Sequence, residues 1–240
     1  VMKRTYQNIS LTNIMYKNIS QEIYNIISSL FKFKKLQLHE PRFDGNELKY
    51  INDCIDSTFV SSVGKYVDIF EEKISKYTAS KNTIAVMNGT SALHSALYLL
   101  NIGSEDEVLL PSLNFVASAN AIRYLLATPH FIDCEKNTMS MDADKLEEYL
   151  SDKTKFNHKK DLINKESGKT IKAIIILHPY GGSADIDKIL KVTNKFKLKV
   201  IEDAAEGLGT KYKGKHIGTF GDIGILSFNG NKIITCGGGG

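Results

Sequence analysis

Apolar residues follow two different periods along this chain. Through GKYVDIFEEKISKY, Val67, Phe70, Ile74 and Tyr77 recur three and four positions apart, which predicts an amphipathic helix with one buried face. Beyond it, NTIAVMN, EVLLPSL, TPHFIDC, KAIIILHPY, KVIEDAA and IGILSFN are short apolar runs with β-branched residues, and each predicts a buried strand. TSALHSALYLL, ASANAIRYLL, DADKLEEYL and ADIDKILKVTNKF separate most of these runs and predict helices. Strand and helix in alternation predict an α/β fold, a mostly parallel sheet with helices on both faces.

Three stretches stand outside the alternation. Residues 1–37 are rich in Asn, Lys, Ser and Ile, and EIYNIISSLF within them reads as an amphipathic helix, so a helical extension is expected there. SDKTKFNHKKDLINKESGKT is polar and lysine-heavy and reads as a surface insertion. TKYKGKHIG reads as a small hairpin about Lys213 and Gly214.

Composition narrows the choices modestly. The 240 residues are 42% hydrophobic and 24% charged, with a net charge of +4, which is ordinary for a soluble domain. The lysines are scattered, with no basic stripe and no interleaved aromatics, so nucleic acid is not an expected partner. No apolar run reaches the ~20 residues of a membrane span, so no membrane role is expected. Cys54, Cys134 and Cys236 lie far apart without a CxxC spacing, and the histidines form no HExxH pair. A zinc site or disulfide framework is not expected, and a reducing cytoplasmic setting is.

In such sheets ligands gather beyond the carboxyl ends of the strands. After NTIAVM, Asn88-Gly89-Thr90-Ser91 opens a helix, a seat for phosphate or carboxylate, or alternatively plain capping by Thr90 or Ser91. After EVLLPSL come Asn114 and Phe115, an aromatic that alone reads as packing. Asp203 ends KVIED, with Glu206 three residues on; it is either a paired structural charge or a fixed anion for a cationic ligand atom. Ser227 ends IGILS, and Lys232 lies in the loop beyond it, just before four glycines. A lone lysine is ordinarily solvated, whereas amine chemistry needs one in a confined site. One ligand needs all of these parts together. Pyridoxal phosphate requires a phosphate cradle, a flat surface on its ring, an anion at its pyridine nitrogen and a lysine at its aldehyde.

FVSSVGKYVDIFEEKISKY, VMNGTSALHSAL, LPSLNFVASANAI and VIEDAAEGLGTKYKGKHIGTFGDIGILSFNGNKIITCGGGG together resemble the DegT/DnrJ/EryC1/StrS nucleotide-sugar aminotransferases, over residues 38–240. The resemblance implies the large domain of a fold-type-I pyridoxal phosphate enzyme in residues 38–240. It implies that Lys232 forms the imine with the cofactor and shuttles a proton, that Asp203 pairs with the pyridine nitrogen, and that Phe115 stacks on the ring. Gly89, Thr90, Ser91 and Ser227 would hold the phosphate. Glu206 would lie near the ring, where relatives often carry Gln or His, and Ser61 and Ser62 would border a sugar site. SFNGNKIIT and HEPRFDGNELKYINDCIDSTFVSSVGKYVDIFE are similar to the branch that aminates 4-keto-6-deoxy-N-acetyl sugars on routes to legionaminic acid or bacillosamine.

Implied partners are therefore glutamate, a nucleotide-linked keto-sugar and a second copy of the chain in a homodimer. Relatives continue past the glycine run. From the resemblance, a small C-terminal domain and one sheet strand between NTIAVMN and IGILSFN are expected to be missing, leaving those two runs facing each other across a gap. Two alternatives stay open, a catalytically silent chain with this fold and an enzyme for a different keto-sugar. Sugar dehydratases of the group carry histidine at the lysine position, and Lys232 argues against that chemistry.

Overall fold

The computed structural model describes residues 2–31 and 39–240, with residues 2–15 described as backbone only. By contacts the chain divides into two units, residues 1–40 and 41–240. The first holds helix α1 (Met2–Phe31), on which Ile19, Ile23, Ile26 and Leu30 are exposed. The expected extension over residues 1–37 is thus helical for most of its length, while residues 1 and 32–37 lie outside the described residues.

The second unit begins with α2 (Glu47–Asp56), α3 (Lys65–Thr78) and α4 (Gly89–Leu99). There follow β1 (Asp106–Pro111), α5 (Val116–Tyr124), β2 (Thr128–Ile132), α6 (Ala143–Lys153), β3 (Thr154–Phe156), β4 (Leu162–Asn164) and β5 (Thr170–Leu177). The unit closes with α7 (Ile186–Phe196), β6 (Lys199–Asp203), the hairpin β7 (Lys211–Tyr212) and β8 (Lys215–His216), and β9 (Ile223–Ile225). Strands β2, β1, β5, β6 and β9 lie side by side in that order, all parallel. Their carboxyl ends therefore share one edge, where Leu177, Asp203 and Ile225 stand abreast in the register.

Alternation along the strands builds two cores. On β1 and β5, Val108, Leu110, Ala173 and Ile175 pack with Leu93 and Leu97 of α4 and Ala121 and Ile122 of α5. Leu109, Ile174 and Ile176 face the other way, onto Leu146 and Leu150 of α6 and Ile186 and Ile189 of α7. The same period governs β6, where Val200 belongs to the second layer and Ile201 to the first. Glu202 and Asp203 are consequently sent to opposite faces.

Two expectations need correction, and a third needs refinement. NTIAVM is not a strand: Ile84 and Met87 are largely exposed, and the backbone from Val86 on bonds only to Gly239 and Gly240. A strand needs a ladder partner, and two glycines supply too short a one. Gly239 also accepts the Phe228 N–H, so the glycine run lies between Met87 and Phe228. Beside it an open groove of about 620 Å³ separates Ile84 and Val86 from Ile223 and Ile225. The segment 151–170 is largely exposed, as a surface insertion should be, but it is built on a hairpin that the sequence did not predict. Its β3 and β4 pair antiparallel and join the start of β5, with Leu162 and Asn164 buried. Buried Glu107 draws it in, accepting from Asn164 Nδ2 at 2.9 Å and from the Ser167 hydroxyl. Finally, α4 is capped by neither Thr90 nor Ser91. Asn88 is the cap, its Oδ1 accepting the Ser91 N–H at 2.8 Å. The expected hairpin does turn at Lys213 and Gly214, both at positive φ.

Candidate active site

The carboxyl edge brings together side chains from five segments. Asp203, at the end of β6, is 3% exposed and faces α5, where Ser118 is 1% exposed. The Ser118 hydroxyl donates to Asp203 Oδ2 at 2.8 Å, and the Ala205 N–H donates to Oδ1 at 3.2 Å. Burial pushes the Asp203 carboxyl above the usual aspartate range, against the pull of these two donors and of the Lys232 charge. Ionising so buried a carboxylate is costly, and a cationic partner would offset that cost.

Lys232 is held by a loop that folds back on a single anchor. Phe228 is buried and meets Phe70 of α3 edge to face at 4.9 Å. Its carbonyl accepts from the Thr235 hydroxyl at 3.0 Å and the Cys236 N–H at 3.1 Å, and the Lys232 N–H closes a turn onto Asn229. The lysine side chain is 15% exposed, and its Nζ lies 3.3 Å from Glu206 Oε1. Glu206 Oε2 accepts the Tyr180 N–H at 3.0 Å. Tyr180 adopts φ 54, ψ 26, a left-handed conformation costly for an aromatic residue, in the short turn after β5. Gly181 follows at φ 77, and a Cβ there would come within 2.8 Å of the Glu206 carbonyl. Only glycine fits that contact.

Farther along the same edge, Gly89 opens α4 directly against Ser227. A Cβ on Gly89 would sit 3.1 Å from the Ser227 Cβ and 3.3 Å from its Oγ. With Asn88 occupying the Ser91 amide, the Gly89 and Thr90 N–H groups remain without intrahelical partners by position. They point out of a helix N-terminus beside a hydroxyl, a natural seat for an anion. Phe115 caps α5 one turn before Ser118 and is 74% exposed, so it is not core packing.

Behind this edge, Glu202 is fully buried and accepts four donors: His178 Nε2 at 3.0 Å and the amides of Gly218, Phe220 and Gly221. Burial alone would push its pKa up, but the His178 bond and the glycine amides outweigh it and hold the group below the usual range. His178 Nδ1 accepts the Ala184 N–H, which places the ring proton on Nε2. This knot fixes the loop 216–221 beneath β6 and is structural.

Gly89, Thr90, Ser91, Asp203, Glu206, Ser227 and Lys232 thus all belong to segments converging on one edge, with Phe115 at its rim. Ser61 lies elsewhere, on the wall of an open hollow of about 720 Å³ shared with Asp53, Phe59 and Tyr66. No hydrogen bond among the described residues joins Ser61 or Ser62 to Lys232, Asp203 or Glu206. Ser118, Tyr180, His178 and Glu202 were not singled out by the sequence. Among the described residues no cluster of His, Cys, Asp and Glu could hold a metal ion, and no helix is long and apolar enough to cross a membrane.

This mostly parallel α/β sheet with helices on both faces is the fold of solved aminotransferases. An aminotransferase from Psychrobacter cryohalolentis superimposes with a TM-score of 0.71 at 31% identity, covering 83% of this chain and 47% of that one. A Streptococcus pneumoniae structure in its PLP-form gives a TM-score of 0.74 at 26% identity, covering 85% of this chain and 51% of that one. The chain belongs to the DegT/DnrJ/EryC1/StrS aminotransferase family, whose model matches residues 41–240. GDP-perosamine synthase of Caulobacter vibrioides is 43% identical over 206 residues, 86% of this chain and 51% of the relative. The chain spans about half the length of the curated relatives it matches.

Proposed function

We propose that residues 38–240 form the cofactor-binding part of a pyridoxal phosphate-dependent aminotransferase. Its reaction passes the amine of glutamate to the 4-keto group of a nucleotide-linked 4-keto-6-deoxy-N-acetyl sugar. The observation that carries the reading is the Lys232 amine, confined beside Glu206 and within electrostatic reach of buried Asp203, on the same edge as the α4 N-terminus.

The residues present fit the cofactor. Gly89 lies so close to Ser227 that a Cβ there would press on the Ser227 side chain, so the α4 N-terminus and that hydroxyl are held side by side. Gly89, Thr90 and Ser91 at the α4 N-terminus and the Ser227 hydroxyl would seat the phosphate, Asp203 the ring nitrogen, and the open Phe115 ring one face. Pyridoxal phosphate, when bound, supplies an aldehyde for an amine and a protonated pyridine that spreads carbanion charge. Asp203 would pair its carboxylate with that protonated nitrogen. Lys232 Nζ would be the nucleophile toward that aldehyde and the base and acid that moves the proton, a contribution of about 10²–10⁴-fold for a placed acid–base group. Glu206 holds the amine in place when it is not bonded elsewhere. Phe115 would cover one face of the ring from solvent.

The nucleotide-sugar substrate is supported by the relatives named GDP-perosamine synthase. The N-acetyl group, and a route to legionaminic acid or bacillosamine, rest on the similarity of SFNGNKIIT and the HEPRFDGNE segment to that branch. A homodimer that shares its sites belongs to the same reading. The test is an assay with glutamate and either UDP- or GDP-linked 4-keto-6-deoxy sugars, following 2-oxoglutarate and the amino sugar. We expect turnover with an N-acetylated sugar and background rates for Lys232→Ala. A folded protein that consumes no glutamate with any of these sugars would contradict the proposal.

A further inference from the structure

We propose that Ser118 is a positioning residue for Asp203, its hydroxyl fixing that carboxylate in place for the cationic nitrogen of a bound pyridine ring. The inference rests on the pyridoxal phosphate reading and adds to it a residue outside the ring's own contacts.

A serine inside a helix ordinarily returns its hydroxyl to a carbonyl one turn back. Ser118 instead crosses from α5 to the end of β6 and donates to Asp203 Oδ2 at 2.8 Å, with both groups buried. A hydroxyl has one proton, and here it is spent on the carboxylate. The Ala205 amide takes Oδ1, so each oxygen has one fixed donor and the carboxylate plane is set. Oxygens so held keep lone pairs for one further donor, and a ligand N⁺–H supplies it.

Two donors bond this carboxylate, Ser118 from α5 and the Ala205 amide from the loop after β6, while Lys232 from the loop after β9 and His178 from the end of β5 act on it electrostatically. Burial drives Asp203 toward its neutral form, and the Ser118 bond is the largest influence opposing it. A protonated Asp203 would offer the ring nitrogen no charge. Removing the hydroxyl therefore weakens the site at every pH, and most on the acid side.

The experiment compares the wild type with Ser118→Ala and Ser118→Thr. Carbon-13 NMR follows the Asp203 carboxyl against pH in the ligand-free protein, and the visible band follows uptake of added pyridoxal phosphate. Melting curves establish that each variant is folded. Ser118→Ala should raise the Asp203 midpoint and weaken pyridoxal phosphate binding about tenfold, the loss of one charge-assisted hydrogen bond. Ser118→Thr should restore both. An alanine variant that titrates and binds like the wild type would overturn the proposal, as would a folded threonine variant that restores neither. A wild type whose Asp203 responds to Ser118 but which takes up no pyridoxal phosphate would overturn the aminotransferase reading, and with it the ring's part in this inference, while the coupling of the two residues stands.

Discussion

At the scale of single residues, Asp203 carries a cost that the ligand-free chain does not recover. Its folded pKa is raised by burial, so folding favours the protonated form. Stability is then lost as pH climbs from the ordinary aspartate range through the folded value, and stays lost above it. Asp203→Asn should therefore melt higher than the wild type at pH 8 in the absence of ligand, an advantage that fades toward pH 4, while uptake of pyridoxal phosphate collapses. Differential scanning calorimetry at the two pH values, with and without pyridoxal phosphate, checks both halves. Gly89 offers a second case. Alanine there gains up to about 1 kcal/mol of helix propensity. Its Cβ, however, would press on Ser227 and displace the hydroxyl by a few tenths of an ångström. Gly89→Ala should leave the melting temperature nearly unchanged and lower pyridoxal phosphate affinity. A variant that binds as the parent does would remove Ser227 from the phosphate seat. Asp203 and Lys232 were legible only together: each alone has an ordinary structural explanation, but the parts that one ligand needs fall at successive strand ends. Ser118 was legible in principle too: it shares a stripe with Ala121, Ile122 and Leu125, and a hydroxyl on an apolar stripe must find a partner. Tyr180 was not, since its left-handed backbone follows from the Glu206 contact and leaves no mark in composition.

At the scale of elements, the pair Glu202–Asp203 shows what a two-residue period does at a strand end. One carboxylate goes to the ligand side and the other into the knot with His178 and the 218–221 amides. The knot's contribution is present above the ordinary glutamate range and is lost as pH falls through the depressed folded value of Glu202. Glu202→Gln keeps the shape but turns an NH₂ toward amide donors. We expect a loss of about 1–3 kcal/mol, as for leaving buried donors without an acceptor, read by urea denaturation at pH 7. A change below about 0.5 kcal/mol would mean that the knot is not holding β6. The helices were readable from their apolar stripes: α7 buries Ile186, Ile189, Val192, Thr193 and Phe196, the spacing expected of one face. NTIAVM reads as a strand for the same local reasons as the others, yet strand formation depends on partners that a local pattern does not report. The β3–β4 hairpin was hidden for a converse reason. It is held by polar groups, Asn164 and Ser167 on Glu107, rather than by an apolar run.

At the scale of the whole molecule, residues 41–240 form an open α/β layer whose chemistry is gathered on one sheet edge, because parallel strands must all end on the same side. The sequence order of Gly89, Phe115, Asp203, Ser227 and Lys232 spreads them over most of the unit, and the parallel topology alone brings them together. The central claim is that this edge is built around one pyridoxal phosphate with Lys232 as its point of attachment. The direct measurement is to mix the protein with pyridoxal phosphate, reduce with borohydride, and locate the added mass by peptide mapping. The account predicts a single modified peptide spanning residues 227–240, with the label on Lys232 and none on that peptide in Lys232→Ala. Label spread over surface lysines such as Lys145 and Lys188, with none at Lys232, would contradict it.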